Sequence, residues 1–194
     1  EDFYIQLTNI SFQQKFYRYA EKMFIDLTLN NDSANVKEIK DFFLKIDNLC
    51  IQQVYENFSK WFQKDITMED LLDFYIPSLL IQDTKIYPEN IELNTDSDID
   101  SNTDSSYNSS LEEDDNIINK YVVLEVPYDK EENELDIIIY DKNNNEVDEY
   151  QEIKPIQNSI GILKLKGINI EKKKFYTIWE LVQLKITDEE IIKK

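Results

Sequence analysis

Histidine is absent from this chain, cysteine and arginine each occur once, and glycine and alanine each occur twice. Each shortage closes off a chemistry. Without histidine, neither a Ser-His-Asp triad nor a Cys-His dyad can be assembled. A single thiol, Cys50, supplies no internal disulfide and no zinc site. Two glycines leave no glycine-rich loop to cradle phosphates. The apolar runs are too short to cross a bilayer as a helix. Carboxylates alone could still hold a metal. With 40 acidic residues, however, paired carboxylates recur everywhere and their spacing carries no information. No catalytic residue and no cofactor is expected, and a carboxylate-metal enzyme is the weakest of the functional classes left open.

What is present is enough for a core. The chain has 194 residues, 41% of them apolar and 12% aromatic, so it is not globally disordered. Its 27 isoleucines, 20 lysines and 18 asparagines all use AT-rich codons, which fits the genomes of some protozoa and several large DNA viruses. It starts without methionine and stops inside TDEEIIKK, which reads as the start of a helix, so it is expected to be a piece of a longer chain. Cys50 lies on the apolar face of a predicted helix and reads as a buried thiol in a reducing compartment. The net charge is −19, and residues 94–119 hold eight acids and no base. Such a chain repels nucleic acid at long range, so any polyanion binding requires a segregated cationic strip.

Along the chain, FYIQLTNI and KMFIDLTL (residues 22–29) alternate as strands, with KFYRYAE between them as a turn or a lead-in. From Asn35 apolar residues recur at three and four, from Val36 through Phe62. The spacing predicts a helix capped by Asn35 with Glu38 and ending near Lys64. Thr67 with Asp70 caps a second, shorter helix that Pro77 stops. KIYPENIEL reads as a short strand, with Pro88 placing it at an edge. Residues 94–119 read as a disordered acidic loop, without the glycine and final glutamate of a calcium loop. KYVVLEVPY, ELDIIIYD, VDEYQEI, SIGILKLKGINI and FYTIWELVQLKI are strands. KNNNE makes one hairpin turn and the lysines of GINIEKKKF the tip of another. Gly161 and Gly167 mark bulges or bends.

The expected fold is therefore mainly β with an α insertion. It is a small β-barrel of OB type over residues 1–194, a helical insertion at 33–80 and the acidic disordered loop at 94–119. A closed barrel hides its strand edges.

One constellation points to a polyanion. Straight alternation through FYTIWELVQLKI puts Phe175, Thr177, Trp179, Leu181, Gln183 and Lys185 on an outer face, with Tyr176, Ile178, Val182, Leu184 and Ile186 inside. Lys164 and Lys166 line one side of the preceding strand, and Lys172, Lys173 and Lys174 stand at the turn. Rings beside lysines form the working surface of a single-strand binder, where bases stack and ammoniums meet phosphates. The plainer alternative has Trp179 packed beneath the helices and the lysines in an ordinary solvated turn. A second patch, FSKWFQK, puts Lys60 and Lys64 beside Trp61, with Phe58 and Phe62 expected in the core.

The order of YIQLTNI and KMFIDLTL, then IKDFFLKIDN and YENFSKWFQKDITMEDLLDFYIP, then ILKLKGINIEKKKFYTIWELVQLKI resembles the OB-fold-like single-stranded DNA-binding proteins of nucleocytoplasmic large DNA viruses. The resemblance covers most of the chain outside residues 94–119. It implies non-catalytic coating of single strands in viral DNA replication or repair, in the host cytoplasm at virus factories or in the nucleus. It makes Trp179, Gln183 and Lys185 the carried-over contacts. The acidic loop would then compete with DNA for the groove or dock a basic protein partner. The rival reading is an acidic protein-interaction or structural module, viral or protozoan, that binds no nucleic acid.

Overall fold

The computed structural model describes residues 2–12, 16–19, 21–29, 33–81, 120–132, 134–147, 158–172 and 174–187. The predicted strand around KIYPENIEL, the acidic loop at 94–119, most of VDEYQEI, Lys173 and the helix expected from the C-terminal residues lie outside them.

Five long strands carry the fold: β1 (Phe3–Phe12), β3 (Lys22–Thr28), β5 (Lys120–Val126), β9 (Ser159–Ile170) and β10 (Phe175–Ile186). The short β2 (Tyr17–Tyr19) forms a hairpin with β3, so KFYRYAE is a strand in its middle rather than a turn. Most of β1 pairs with β9, from Phe3↔Leu165 to Ile10↔Ser159. Its last two residues pair with β3 through Ser11↔Thr28 and Phe12↔Leu27. The strand changes partner at a register shift between Leu7 and Ile10, where Asn9 takes φ 52°, a conformation asparagine tolerates. β3 pairs along its length with β5, and β9 with β10 as the long C-terminal hairpin. β5 then meets β10 in parallel at Glu180↔Glu125. The pairings thus run in a ring, β1–β3–β5–β10–β9–β1, within a mixed, mainly antiparallel sheet.

The remaining strands are short: β4 (Leu80–Ile81) on β5, β6 (Tyr128–Asp129) with β7 (Glu134–Leu135), and β8 (Ile138–Tyr140) parallel to β10. The asparagine turn forms as expected. Asp141 accepts from the backbone of Asn143 and Asn145, Asn144 takes φ 65°, and Tyr140 bridges to Glu146.

Between β3 and β4 come α1 (Ala34–Phe62) and α2 (Met68–Asp73). The cap of α1 is Ser33, whose Oγ accepts from the Val36 amide at 3.3 Å. Asn35, expected in that role, instead donates from its side chain to the Thr8 carbonyl at 2.7 Å, tying the helix start to β1. Thr67 caps α2 as predicted, with Asp70 reaching back to it.

Two apolar clusters result. Inside the ring, Ile10, Ile25, Leu27, Leu124, Leu163, Trp179, Leu181 and Leu184 are buried, and α1 lays Val36, Ile39 and Phe43 against them. The far half of α1 and α2 meet the β9–β10 hairpin around Val54, Leu71 and Phe175, with Phe58, Ile66, Ile168 and Ile170 packed on. Phe58 touches Phe62 at 4.7 Å between ring centres. Phe62 is nonetheless exposed, contrary to its predicted core position, because it sits in the last turn of α1.

Candidate nucleic-acid interface

The predicted stacking face of β10 points inward. Phe175 and Trp179 are each 2% exposed, and Trp179 packs edge-on against Phe42 and Phe43, at 5.9 and 5.2 Å between ring centres. The cause is a bulge. The register of β10 on β9 shifts between Leu181 and Gln183, so Val182 absorbs one residue and the alternation inverts there. Phe175, Thr177, Trp179 and Leu181 face the core before it, and Leu184 and Ile186 after it. A strictly alternating strand cannot bury both sets.

The lysines are distributed among carboxylates. Lys164 bonds Asp2 at 3.0 Å, and Lys174 bonds Glu171 at 3.3 Å. Lys166 reaches Glu125 at 3.2 Å and Glu180 at 2.8 Å, and these contacts, the Glu180 bond foremost, hold its ammonium above its ordinary pKa. Lys185 donates to the Asn144 side chain. Lys172 is exposed at the hairpin tip beside Lys174. Gln183 sits seven residues along β10 from Tyr176, about 23 Å in an extended strand, so it and Lys185 stand far from the hairpin lysines. The structure therefore leaves Lys172 and Lys174 at the hairpin tip and Lys166 further down β9, and among the described residues the cations along β9 and β10 are interrupted by carboxylates.

Lys166 also has a structural task. Glu125 and Glu180 stand directly opposite across the single parallel contact between β5 and β10, where two like charges repel. The ammonium between them turns that repulsion into a bridge. Lys22 of β3 also pairs with Glu125. Burial alone would raise the Glu125 pKa, but Lys22 and Lys166 outweigh it and hold this carboxyl below its usual range.

On the other side of that contact the strands part. The start of β5 pairs with β4, through Leu80↔Tyr121 and Ile81↔Lys120. The start of β10 is bridged to the chain after α2: Phe175 donates to the Phe74 carbonyl at 2.8 Å, and Ile76 donates to the Phe175 carbonyl at 2.9 Å. Residues 74–81 thus wedge open the seam between β5 and β10. Asp47, buried in the apolar stripe of α1, pins the wedge by accepting from the Ser78 amide at 2.9 Å and the Ser78 hydroxyl at 2.5 Å. That hydroxyl also meets Thr177 Oγ1 at 2.7 Å.

A cleft of about 420 Å³ occupies the opened seam. Pro77, Ser78 and Leu80 of the wedge line it, with Val123 and Glu125 of β5. Tyr19, Lys22 and Phe24 extend one wall, and Asn169, Glu171, Lys174, Tyr176 and Ile178 of the hairpin form the other. Trp179 reaches the lining as well, and its indole N–H finds no acceptor among the described residues. Asn169 donates to the Tyr176 hydroxyl at 2.8 Å, which in turn donates to Glu171 at 3.0 Å. Burial first, then the neighbouring Glu171 carboxylate, raises the Tyr176 pKa, while the Asn169 bond works against the rise, so the phenol stays neutral at physiological pH. Of the cleft residues, sequence reasoning had singled out Lys174 and Trp179 alone. Among the described residues no group of three or more acidic or cysteine side chains is placed to hold a metal ion.

No known family pattern matches the chain, and no curated protein sequence is significantly similar to it. Among solved structures it is similar to gp2.5, a single-stranded DNA-binding protein encoded by bacteriophage T7. The TM-score is 0.50 at 9% identity, and the match covers 98% of each chain. The mainly β architecture with its helix and mixed sheet is thus a fold shared with a phage single-stranded DNA-binding protein.

Proposed function

We propose that this chain is a non-catalytic single-stranded DNA-binding protein acting in DNA replication or repair, with the ring of strands as an OB-type barrel. The observation that carries the reading is the pairing order β1–β3–β5–β10–β9 with its one parallel closure at Glu180↔Glu125, in a chain whose fold is similar over 98% of its length to that of the phage protein. An OB barrel takes oligonucleotides on the face of its second and third strands, between the loop joining its first two strands and the loop joining its last two. Here those are β3 and β5, the β1–β3 connection with β2, and the β9–β10 hairpin tip. The cleft lies where these elements meet. Lys172 and Lys174 stand at its hairpin rim for phosphate contact, with the outer lysines in a lesser role, whereas Phe175 and Trp179 support the wall from the core.

A specific observation favours the rival reading of a protein-docking module. Trp61, Phe62, Met68 and Leu72 are all exposed near the α1–α2 junction, beside Lys60 and Lys64, on a body of charge −19. Fluorescence anisotropy of a labelled oligo-dT titrated with the full chain at low salt separates the two. The single-strand reading predicts saturable binding that duplex DNA of the same length does not reproduce. A flat titration, alongside binding to a polycation, leaves the docking module as the account.

A further inference from the structure

The cleft in the β5–β10 seam is electrically balanced. Lys22 is held by Glu125 and Lys174 by Glu171, and the ammonium behind them, Lys166, is shared by two carboxylates. A phosphate drawn to any of these lysines arrives beside a carboxylate, on a molecule whose overall charge of −19 already opposes its approach. The rest of the lining suits a different part of the same polymer. Tyr19, Phe24 and Tyr176 supply aromatic rings and Asn169 a side-chain amide, while Ser78 and Thr177 are engaged with Asp47 and with each other. At about 420 Å³ the cleft falls in the size range of small-molecule sites. The ligand that matches is flat, uncharged, apolar on its faces and polar at its edge.

We infer that the cleft receives an unpaired nucleobase, so that single strands are held chiefly through their bases while the phosphates stay outside in solvent. This rests on the proposed function and goes beyond it by naming which half of the nucleotide carries the affinity. The two have different signatures in salt. Neutralising six phosphates, one for each lysine of the 164–185 region, gives log K against log salt a slope of about −4 on a single strand. A base-held strand touching one or two phosphates gives a slope of about −1.

The test is a salt series on the full chain with labelled oligo-dT, repeated with an unlabelled competitor of the same length built from abasic tetrahydrofuran units. The expected result is a slope shallower than about −2 and no displacement by the abasic chain even in large excess. Tyr176→Ala should weaken binding about tenfold, the loss of one stacked base. Lys174→Gln should weaken it less than about threefold. Tyr176→Phe keeps the ring, discards the bonds to Asn169 and Glu171, and should retain affinity. It therefore separates loss of the stacking surface from loss of the fold. A slope near −4 with full displacement by the abasic chain overturns this inference while leaving single-strand binding standing. Absence of any binding to oligo-dT overturns the proposed function and this inference together.

Discussion

At the scale of single residues, the placement of Trp179 shows how one inserted residue redirects a reading. Alternation counted back from Ile186 gives the wrong face for everything before Val182, because the bulge there adds one residue to β10. The consecutive apolar pair Leu181-Val182 is the local mark of a possible slip, but choosing between phases needs the partner strand, which no local pattern supplies. Asp47 was more legible than it looked. An acid four residues after Phe43 and three before Cys50 falls on the buried stripe of α1, and such a carboxylate must have partners. It finds them in Ser78. It also adds to the burial that raises the Cys50 thiol pKa, leaving that cysteine inert. Asp26 is another buried acid, accepting from the Tyr17 hydroxyl at 2.8 Å. Burial outweighs that bond and raises its pKa. A carboxyl whose folded-state pKa lies above its unfolded value helps the fold below the unfolded value and works against it once pH rises through the folded one. Asp26→Asn should therefore raise the urea midpoint at pH 7, and the gain should vanish as the pH falls to about 3, below the ordinary Asp value of about 3.9, where the carboxyl is protonated in the folded and unfolded states alike. An equal gain at both values would assign the effect to packing instead.

At the scale of elements, periodicity served long segments well. The 29 residues of α1 and the 12 of β9 and of β10 each repeat their apolar spacing often enough to be read. β2 and β4, at three and two residues, are too short to show any period, and they exist because β3 and β5 offer them an edge. The cap of α1 shifted to Ser33 because Asn35 is engaged by the Thr8 carbonyl, a partner 27 residues away. The wedge at 74–81 is the element on which the cleft depends. Its hold on α1 is the Asp47–Ser78 pair, so Asp47→Ala should cost about 1–3 kcal/mol for the donors left unpaired in the interior. Amide hydrogen exchange should quicken at Ile76 and Ser78 ahead of the β9–β10 ladder. Uniform acceleration across the sheet would mean that the pair stabilises the whole fold and does not secure the wedge in particular.

At the scale of the whole molecule, the order of strand-like and helix-like periods foretold a mainly β chain with a helical insertion, and the match to the phage protein's fold agrees with that class. The candidate site was far less legible. The cleft draws on residues from Tyr19 to Trp179 and arises where two strands part around a wedge, a feature with no signature in any one segment. The lysine run was visible, but its neutralisation was not: Asp2, Glu125, Glu171 and Glu180 come to Lys164, Lys166 and Lys174 through the fold, and two of these four are more than 40 residues away in sequence. A chain this acidic places its remaining cations among anions unless they are actively segregated. Under the proposed function, DNA recognition then falls to rings at a seam and not to a basic strip. Photo-crosslinking an oligonucleotide that carries 5-iododeoxyuridine, followed by mass-spectrometric mapping, tests that assignment most directly. Crosslinks on Tyr19, Phe24 or Tyr176 are the predicted result. Crosslinks confined to Trp61 and Phe62 at the end of α1, with the cleft rings unmodified, would contradict it.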